Sequence, residues 1–313
     1  MPKLMLIDGN SLVNRAYYGV RPLSAPDGTP TNAVFGFLNI LQRLLDDEKP
    51  DALCVMFDRR EPTFRHKHSE AYKATRKPMP DDLAAQMPVL KELLTDLGFV
   101  QVSKAGWEAD DILGTLAAAC EAAGGTTLLA TGDRDSLQLV DDATTVLLAT
   151  NKETIPMDPA AIREKYGIEP PQLIDVKSLM GDASDNIPGV PGIGEKGACK
   201  LVAQWGSAEN ILQNAAEIKG KQGEKIAAWG DRLLLAKRLT TICTDVPVAF
   251  EPSELEICPP NVDDLKALFA ELDFTAFARD IYNMAPAEEP SDAPRQAPQR
   301  QLAEMARAKS AAA

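Results

Sequence analysis

The sequence predicts an α/β protein in which a mostly parallel central sheet is flanked by helices and followed by a smaller helical subdomain. Three apolar runs, at 4–8, 53–58 and 127–133, have the character of buried strands, and each reaches an aspartate at its end. Segments with helical periodicity lie between these runs, which is the alternation expected of βαβ units. From about Pro159 onward the pattern is helical, so the second part of the chain predicts a separate helical unit.

Local signals predict the elements in chain order. The stretch after Asp8 predicts a strand-to-helix turn with a cap, and Gly98 is expected to end a helix that opens at Pro80. Further helices are predicted at 34–45, from Trp107 to about 124, and at 173–180, 196–205, 209–215, 221–241 and 263–272, with one more strand at 146–148. We therefore predict an α/β core over 1–158 and a helical subdomain over 159–284. Because 285–313 offers almost nothing to bury, we predict a disordered tail or linker there.

Composition limits the class of protein. The chain of 313 residues is 45% hydrophobic and 25% charged, as soluble globular proteins are. The formal net charge of −13 argues against a nucleic-acid partner unless metal ions neutralise the acids locally, so the position of the positive charge matters more than its total. Five scattered cysteines without a Cys-x-x-Cys pair indicate a reducing compartment rather than disulfides or zinc. No apolar run approaches membrane-spanning length, and we expect neither a signal peptide nor an anchor.

Carboxylates concentrate where the predicted elements meet. Glu108, Asp110 and Asp111 crowd the first turn of one predicted helix. The helix dipole favours acids there, but three like charges so close repel one another. The carboxyl ends of parallel strands border one crevice, so the strand-end acids are expected to converge with this helix; they are Asp8, Asp58, Asp133 and the nearby Asp135. So many carboxylates cannot all stay ionised without cations between them, and the sequence predicts a metal site.

A basic stretch at 59–77 follows the second predicted strand. It holds seven lysines and arginines against two glutamates, with Phe64 and Tyr72 interleaved and with both histidines of the chain, His66 and His68. A solvated basic loop is one interpretation. A grip on a phosphate backbone is the other, and it is favoured because the stretch stands beside a strand-end aspartate in an acidic protein.

A glycine-rich stretch at 187–197 contains the spacing G-x-G-x-x-G at Gly192, Gly194 and Gly197. A dinucleotide site would need a strand directly before it, and two prolines stand there instead. A phosphate loop would need lysine after Gly194, where Glu195 stands. The stretch fits a glycine hairpin that leads into a helix, whose free N–H groups together with Lys196 could hold one phosphate of a nucleic acid.

Five motifs in this order resemble the flap-endonuclease family, in particular the 5′-nuclease domains of bacterial DNA polymerases I, from residue 3 to about 283. They are Phe57-Asp58, Tyr72-Lys73-Ala74-x-Arg76, Glu108-Ala109-Asp110-Asp111, Thr131-Gly132-Asp133-x-Asp135 and Gly181-Asp182-x-x-Asp185-Asn186-Ile187-Pro188-Gly189. The resemblance implies a PIN-like 5′-nuclease core with a C-terminal helix-hairpin-helix subdomain.

The resemblance also implies roles for individual residues. Asp8, Asp58, Glu108 and Asp110 match the ligands of a first metal, Asp133, Asp135, Asp182 and Asp185 those of a second, and Asp111 could serve either. Tyr72, Lys73 and Arg76 match catalytic residues of a basic helical arch at about 59–80. Arg65 and the hairpin residues Gly189, Gly192, Gly194, Lys196, Gly197 and Lys200 are implied DNA contacts. His66, His68 and the tail receive no role.

The implied activity is a structure-specific 5′-3′ exonuclease and flap endonuclease of replication and repair, without polymerase activity. Oxygen-only ligands suit two or more Mg²⁺ ions, with Mn²⁺ as a substitute, and the resemblance adds K⁺ at the hairpin. The expected partners are flapped, nicked or gapped DNA, RNA-DNA primers and a DNA polymerase, for a monomeric bacterial cytoplasmic protein. Two rivals are a non-catalytic DNA-binding scaffold, which would be expected to have lost ligands, and a small-molecule phosphatase. A phosphatase with an aspartyl nucleophile would need a second aspartate where Asn10 stands.

Overall fold

A six-stranded sheet organises the first half of the chain. The computed structural model describes residues 3–150, 153–248, 252–274 and 278–279. The strands are β1 (Lys3–Asp8), β2 (Ala52–Met56), β3 (Val100–Val102), β4 (Thr126–Thr131), β5 (Thr144–Ala149) and β6 (Thr154–Met157), in the order β3-β2-β1-β4-β5-β6. All neighbours are parallel except β6, which runs antiparallel to β5. The three strands that lead to aspartates are therefore adjacent at the centre of the sheet.

Helices cover both faces of this sheet, which explains why its central strands β1 and β2 are largely apolar. The helices of this part are α1 (Gly9–Gly19), α2 (Asn32–Glu48), α3 (Phe64–His68), α4 (Asp81–Asp96) and α5 (Ala109–Ala122). Leu4 and Leu6 of β1 share a buried cluster with the apolar side of α5. Met5 and Ile7 point to the opposite face, where they belong to the cluster of α1, α2 and α4. Strands buried on both faces need continuous apolar sequence rather than alternation.

The helical part begins at α6 and shares the core on the α5 side of the sheet. Its elements are α6 (Pro159–Tyr166), α7 (Leu173–Met180), the two-stranded hairpin β7 (Gly181–Asp182) and β8 (Ile187–Pro188), α8 (Glu195–Trp205), α9 (Ala208–Gln213), α10 (Lys221–Trp229), α11 (Asp231–Thr240) and α12 (Val262–Glu271). Val176 and Leu179 of α7 belong to the same cluster as Leu6. The last helix, α12, instead places Leu265 and Phe269 in the cluster on the other face.

Most predicted helices and strands occur where the sequence placed them, but their first and last residues often differ from the prediction. The helix predicted at 221–241 is wrong as one element, because Gly230, at φ +46°, ends α10 and starts α11. Glu108 is the N-cap of α5 rather than part of its first turn. The basic stretch is α-helical only over α3. The strands β3 and β6 were not predicted, and the predicted tail at 285–313 lies outside the described residues.

Two smaller expectations can also be compared with the structure. All five cysteines fall within the described ranges, and each is a free thiol. No helix in the described part of the chain combines the length and apolar character that crossing a bilayer requires.

Candidate active site

The site begins at the carboxyl end of β1, where Asp8 ends the strand and caps α1. Its Oδ1 accepts a hydrogen bond from the backbone N–H of Ser11 at 2.9 Å, and its Oδ2 accepts one from Thr131 Oγ1 at 2.8 Å. Thr131 ends the neighbouring strand β4, so the strand register fixes this contact. Asp8 is only 5% exposed. The sheet and the turn into α1 together hold a buried carboxylate at the centre of the crevice.

The N-terminus of α5 meets the end of β2 at the same place. Asp58 Oδ1 accepts a hydrogen bond from the backbone N–H of Ala109 at 2.8 Å, and the Asp58 N–H donates to Asn10 Oδ1 at 2.8 Å. Asp58 itself stays exposed, whereas the adjacent cap residue Glu108 is buried. Asn10, which argued against a phosphatase in the sequence, thus helps to join β2 to α1.

Like charges and burial raise the pKa values of the central acids. Burial, with help from the neighbouring Asp58 and Asp133, raises the pKa of Asp8 to about 7. Burial and the charges of Asp8, Asp133, Asp58 and Glu108 raise the pKa of Asp110 well above its usual value. Asp110 Oδ1 is buried and has no hydrogen-bond partner among the described residues. An unpartnered carboxylate oxygen among four other acids is a position where a cation would be stabilised.

A second group of acids lies between β4 and the helical part. Asp133 Oδ1 accepts a hydrogen bond from the N–H of Asp135 at 2.9 Å. The Nζ atom of Lys177 lies 2.5 Å from Asp135 Oδ1 and 2.5 Å from Asp182 Oδ2. Burial and the charge of Asp133 raise the pKa of Asp135 to about 6. Although burial opposes the shift, hydrogen bonds from Lys177 and Ser184 lower the pKa of Asp182 to about 2.

The basic stretch folds down onto both groups of acids. Lys73 Nζ lies 2.8 Å from Glu108 Oε2, and Arg76 Nη2 lies 2.6 Å from Asp185 Oδ1. The Tyr72 hydroxyl lies 3.0 Å from Glu108 Oε2 and 3.0 Å from Asp185 Oδ2. The stretch borders a cavity of about 220 Å³, and Asp58, Lys73, Arg76 and Glu108 are among the residues that line it. Two of the sequence-predicted acids, Asp58 and Glu108, therefore border one space with Lys73 and Arg76.

The donor set fits divalent metal ions that prefer oxygen. The acids that converge around Asp110 offer carboxylate oxygens, which suit Mg²⁺ or Mn²⁺ better than zinc. Within the described ranges, no three acidic, histidine or cysteine side chains surround one common position closely enough to hold a metal as they stand. The ammonium groups of Lys73 and Lys177 lie against the acids instead. The unpartnered Oδ1 of Asp110 nevertheless marks a position where a cation would find a free carboxylate oxygen.

The structure corrects the roles predicted for Asp111 and Arg65. Asp111 is 0% exposed and Arg65 is 2% exposed, and two contacts of 2.7 Å join the carboxylate to the guanidinium. Asp111 also accepts hydrogen bonds from the N–H groups of Glu108 and Cys243, while Arg65 Nε donates to Leu239 O. Asp111 is therefore not placed to hold a metal, and Arg65 is not placed to contact DNA. Their pair fixes the basic stretch to α5 and α11.

The glycine hairpin has a buried base and an exposed tip. A Cβ on Gly189 would lie 2.1 Å from Met180 O, so this glycine allows close packing of the backbone. Gly192, Gly194, Lys196 and Lys200 are exposed, and Gly197 is partly buried; Gly192 has φ +86°, and Gly194 is the N-cap of α8. The geometry leaves the tip and the start of α8 open to a phosphate and gives Gly189 a packing role.

Two lysines at these sites were not predicted. Lys177 bridges the second group of acids, and Lys225 Nζ donates to Pro191 O in the hairpin at 2.9 Å. Lys177 had a weak signal, since it is the only basic residue of α7 and precedes the Gly181-Asp182 motif by one turn. Lys225 had none, because its contact joins segments that are 34 residues apart.

Two family profiles match consecutive parts of the chain. The 5′-3′ exonuclease, N-terminal resolvase-like domain, matches residues 3–167, and the 5′-3′ exonuclease, C-terminal SAM fold, matches residues 168–263. DNA polymerase I of Bacillus subtilis is 44% identical over 276 residues, which cover 87% of this chain and 31% of the relative. The thermostable DNA polymerase I of Thermus thermophilus is 39% identical over 272 residues, with coverages of 87% and 32%. The chain thus spans about a third of these curated relatives.

Solved structures share the fold at lower identity. T5 5′-exonuclease with bound zinc ions has a TM-score of 0.64 at 22% identity, covering 90% of this chain and 99% of that one. Bacteriophage T5 D15 flap endonuclease in a complex with DNA and metal ions has a TM-score of 0.63 at 21% identity, with coverages of 90% and 98%. Human GEN1 in complex with Holliday junction DNA has a TM-score of 0.57 at 16% identity, covering 91% and 68%.

Proposed function

Because this chain belongs to the 5′-3′ exonuclease family, we propose that it hydrolyses phosphodiester bonds of DNA as a structure-specific 5′-3′ exonuclease and 5′-flap endonuclease. One observation carries the proposal: acids from three adjacent strand ends and the N-terminus of α5 converge around Asp110, and two of them, Asp58 and Glu108, border the same cavity as Lys73 and Arg76. Acids alone would repel a phosphate, and cations alone would only bind one. The two together support cleavage with divalent ions.

The proposed ligands form two sets. Asp8, Asp58, Glu108 and Asp110 would hold one ion, and Asp133, Asp135, Asp182 and Asp185 the other. When bound, such ions lower the pKa of an attacking water and stabilise charge on the leaving oxygen. Mg²⁺ is the proposed ion, and Mn²⁺ the substitute.

Lys73 and Arg76 would exchange their carboxylate partners for the phosphate at the cut. Both cations already lie at the wall of the cavity, so they need to move little to offset charge on the phosphate in the transition state. The Tyr72 hydroxyl, placed between Glu108 and Asp185, would orient both acids. The exposed hairpin tip with Lys196 and Lys200 would bind the duplex away from the cut, through phosphates and without reading bases.

The wider setting follows from the family and remains part of the proposal. We propose nicked, gapped and flapped DNA and RNA-DNA primers as substrates, a monomer that cooperates with a DNA polymerase, and a role in primer removal and repair in the bacterial cytoplasm. A K⁺ ion at the hairpin is a further proposed ligand.

A labelled 5′-flap duplex tests the proposal. Wild-type protein with Mg²⁺ should release the flap, and excess EDTA should stop release. Asp8→Asn is expected to abolish cleavage while binding of the flap duplex persists, because Asp8 lies at the crevice and not on the hairpin. Asp141→Asn, at a turn acid that bonds only the backbone of its own turn, is the matched control and should cleave as wild type does. Full activity of Asp8→Asn, or of wild type in EDTA, would refute the metal-dependent mechanism.

A further inference from the structure

Lys177 occupies the gap between two carboxylates of the proposed second metal set. It stands in the last turn of α7, its side chain is 23% exposed, and its Nζ lies 2.5 Å from both Asp135 Oδ1 and Asp182 Oδ2. These two oxygens are therefore at most about 5 Å apart, with the ammonium between them. A Mg²⁺ ion binds oxygen at about 2.0–2.1 Å. An ion held by both carboxylates would need the space that the ammonium fills.

The position of the ammonium is fixed by two parts of the fold. Asp135 follows β4 in the α/β core, whereas Asp182 belongs to the hairpin that follows α7. Both carboxylates are largely shielded from water, so their attraction to the ammonium is screened little. Lys73 is placed differently, since it contacts Glu108 at 2.8 Å but lies 4.0 Å from Asp185 Oδ2. Lys177 is the cation that bridges two acids of one set.

We propose that Lys177 is an internal counter-ion that occupies the second metal position in the free protein and that a divalent ion must displace it. The inference rests on the proposed two-metal site. In the absence of DNA, the second ion should therefore bind with lower affinity than the first, because its binding also requires the Lys177 ammonium to leave two carboxylates. The lysine supplies the positive charge that keeps these acids together until the ion arrives.

Counting bound Mn²⁺ in DNA-free protein tests this inference without any measurement of cleavage. Free Mn²⁺ is measured by electron paramagnetic resonance during titration of wild type, Lys177→Met and Lys177→Gln. Gln retains hydrogen-bond donors without the charge, which guards against a fold defect in the Met variant. The second ion should bind about tenfold more tightly or better in both variants, which corresponds to the removal of a competing interaction of about 1.4 kcal/mol.

Lys237→Met is the matched control. Lys237 Nζ also bridges two carboxylates, at 2.7 Å from Asp175 Oδ1 and 2.7 Å from Glu209 Oε2, and its side chain is 26% exposed. This variant should bind Mn²⁺ as wild type does. Thermal unfolding adds a second readout: both Met variants should lose stability in EDTA, and only Lys177→Met should recover it in Mn²⁺, because the ion replaces the lost charge.

The outcomes separate this inference from the proposed function. Unchanged or weaker binding of the second ion in the Lys177 variants, beside a wild type that binds two, would overturn the counter-ion role and leave the metal site intact. A wild type and variants that bind no Mn²⁺ would overturn the two-metal site and this inference with it.

Discussion

Adjacent aspartates of α5 should respond to the same substitution with opposite changes in stability. Asp111 is 0% exposed, and its carboxylate accepts hydrogen bonds from Arg65, from Glu108 N–H and from Cys243 N–H. Asp111→Asn removes the nearest counter-charge of the buried Arg65 guanidinium and leaves it Glu108 Oε2, at 3.6 Å from Nη1. Breaking one partner of a buried pair costs about 3–5 kcal/mol, so the free energy of unfolding should fall by about that amount.

Asp110→Asn should raise the free energy of unfolding of the metal-free protein. The Asp110 Oδ1 atom is buried without a partner among the described residues, and Asp8, Asp133, Asp58 and Glu108 all repel its charge. Removing a like charge at such a site contributes on the order of 1 kcal/mol or more. Mn²⁺ affinity should show the complementary pattern, with a loss in Asp110→Asn and retention in the folded Asp111→Asn protein.

Urea unfolding in EDTA at neutral pH, followed by circular dichroism, measures both stability changes. The control variant is Asp142→Asn, because Asp142 is an exposed residue at a turn. Gln138→Glu would not serve, because the Gln138 side chain donates to Thr240 O and accepts from the Ile242 N–H. An Asp111→Asn protein within 1 kcal/mol of wild type, or one that loses Mn²⁺ as Asp110→Asn does, would refute the assignment of Asp111 to structure rather than metal binding.

Three further predictions test other parts of the site. Because the pKa of Asp8 in the folded protein is raised to about 7, the stability that its neutral form contributes is present below pH 4 and is lost as the pH rises to about 7. The metal-free wild type should therefore lose stability between pH 5 and 7, by on the order of 2 kcal/mol. A stability profile of equal slope in Asp8→Asn would contradict this. Lys73→Ala should lower the rate of single-turnover cleavage of a flap duplex at saturating enzyme at least tenfold. That factor is expected if a charge contact worth about 1.4 kcal/mol in the transition state is lost. Recovery of the wild-type rate at saturation would show that Lys73 only binds the substrate. Gly194→Val should still fold, because a Cβ there meets no described atom within 4 Å, but it should weaken binding to duplex more than binding to a single strand. Gly189→Ala, by contrast, should lower the melting temperature, because its Cβ would overlap Met180. Equal loss of binding on both substrates in Gly194→Val would remove the hairpin from the duplex site.

Chain order and residue chemistry were enough to predict that the acids at the strand ends converge with those of α5, whereas Asp182 and Asp185 were added through the resemblance. Asp8 and Asp133 could be placed together because parallel strands present their carboxyl ends at one edge, and the structure makes β1 and β4 neighbours. The position of Lys73 beside the acids was also predicted, through the resemblance. These inferences depend on the local sequence and on one general rule of sheet topology.

Pairings between distant segments could not be predicted. The role of Arg65 depends on Leu239 O, 174 residues away, and on Asp111, whose sequence context is that of a metal ligand. Nothing in the sequence distinguishes Asp110 from Asp111, since the two differ only in the side of α5 that they face. The division of 221–241 into two helices depends on Gly230, and a glycine within a helical pattern is often tolerated.

The contacts that hold the basic stretch in place include the Arg76–Asp185 pair, and Arg76 is also a group that the proposed substrate would contact. Lys73 N–H donates to Asp185 O at 2.9 Å, Asn186 Nδ2 donates to Ala71 O at 2.7 Å, and Arg76 pairs with the Asp185 side chain. Each neutral bond of this kind contributes about 0.5–1.5 kcal/mol. A phosphate that takes Arg76 from Asp185 therefore also loosens the stretch from the β7–β8 turn. Admission of a strand and release of the Asp185 carboxylate would thus occur in one exchange of partners.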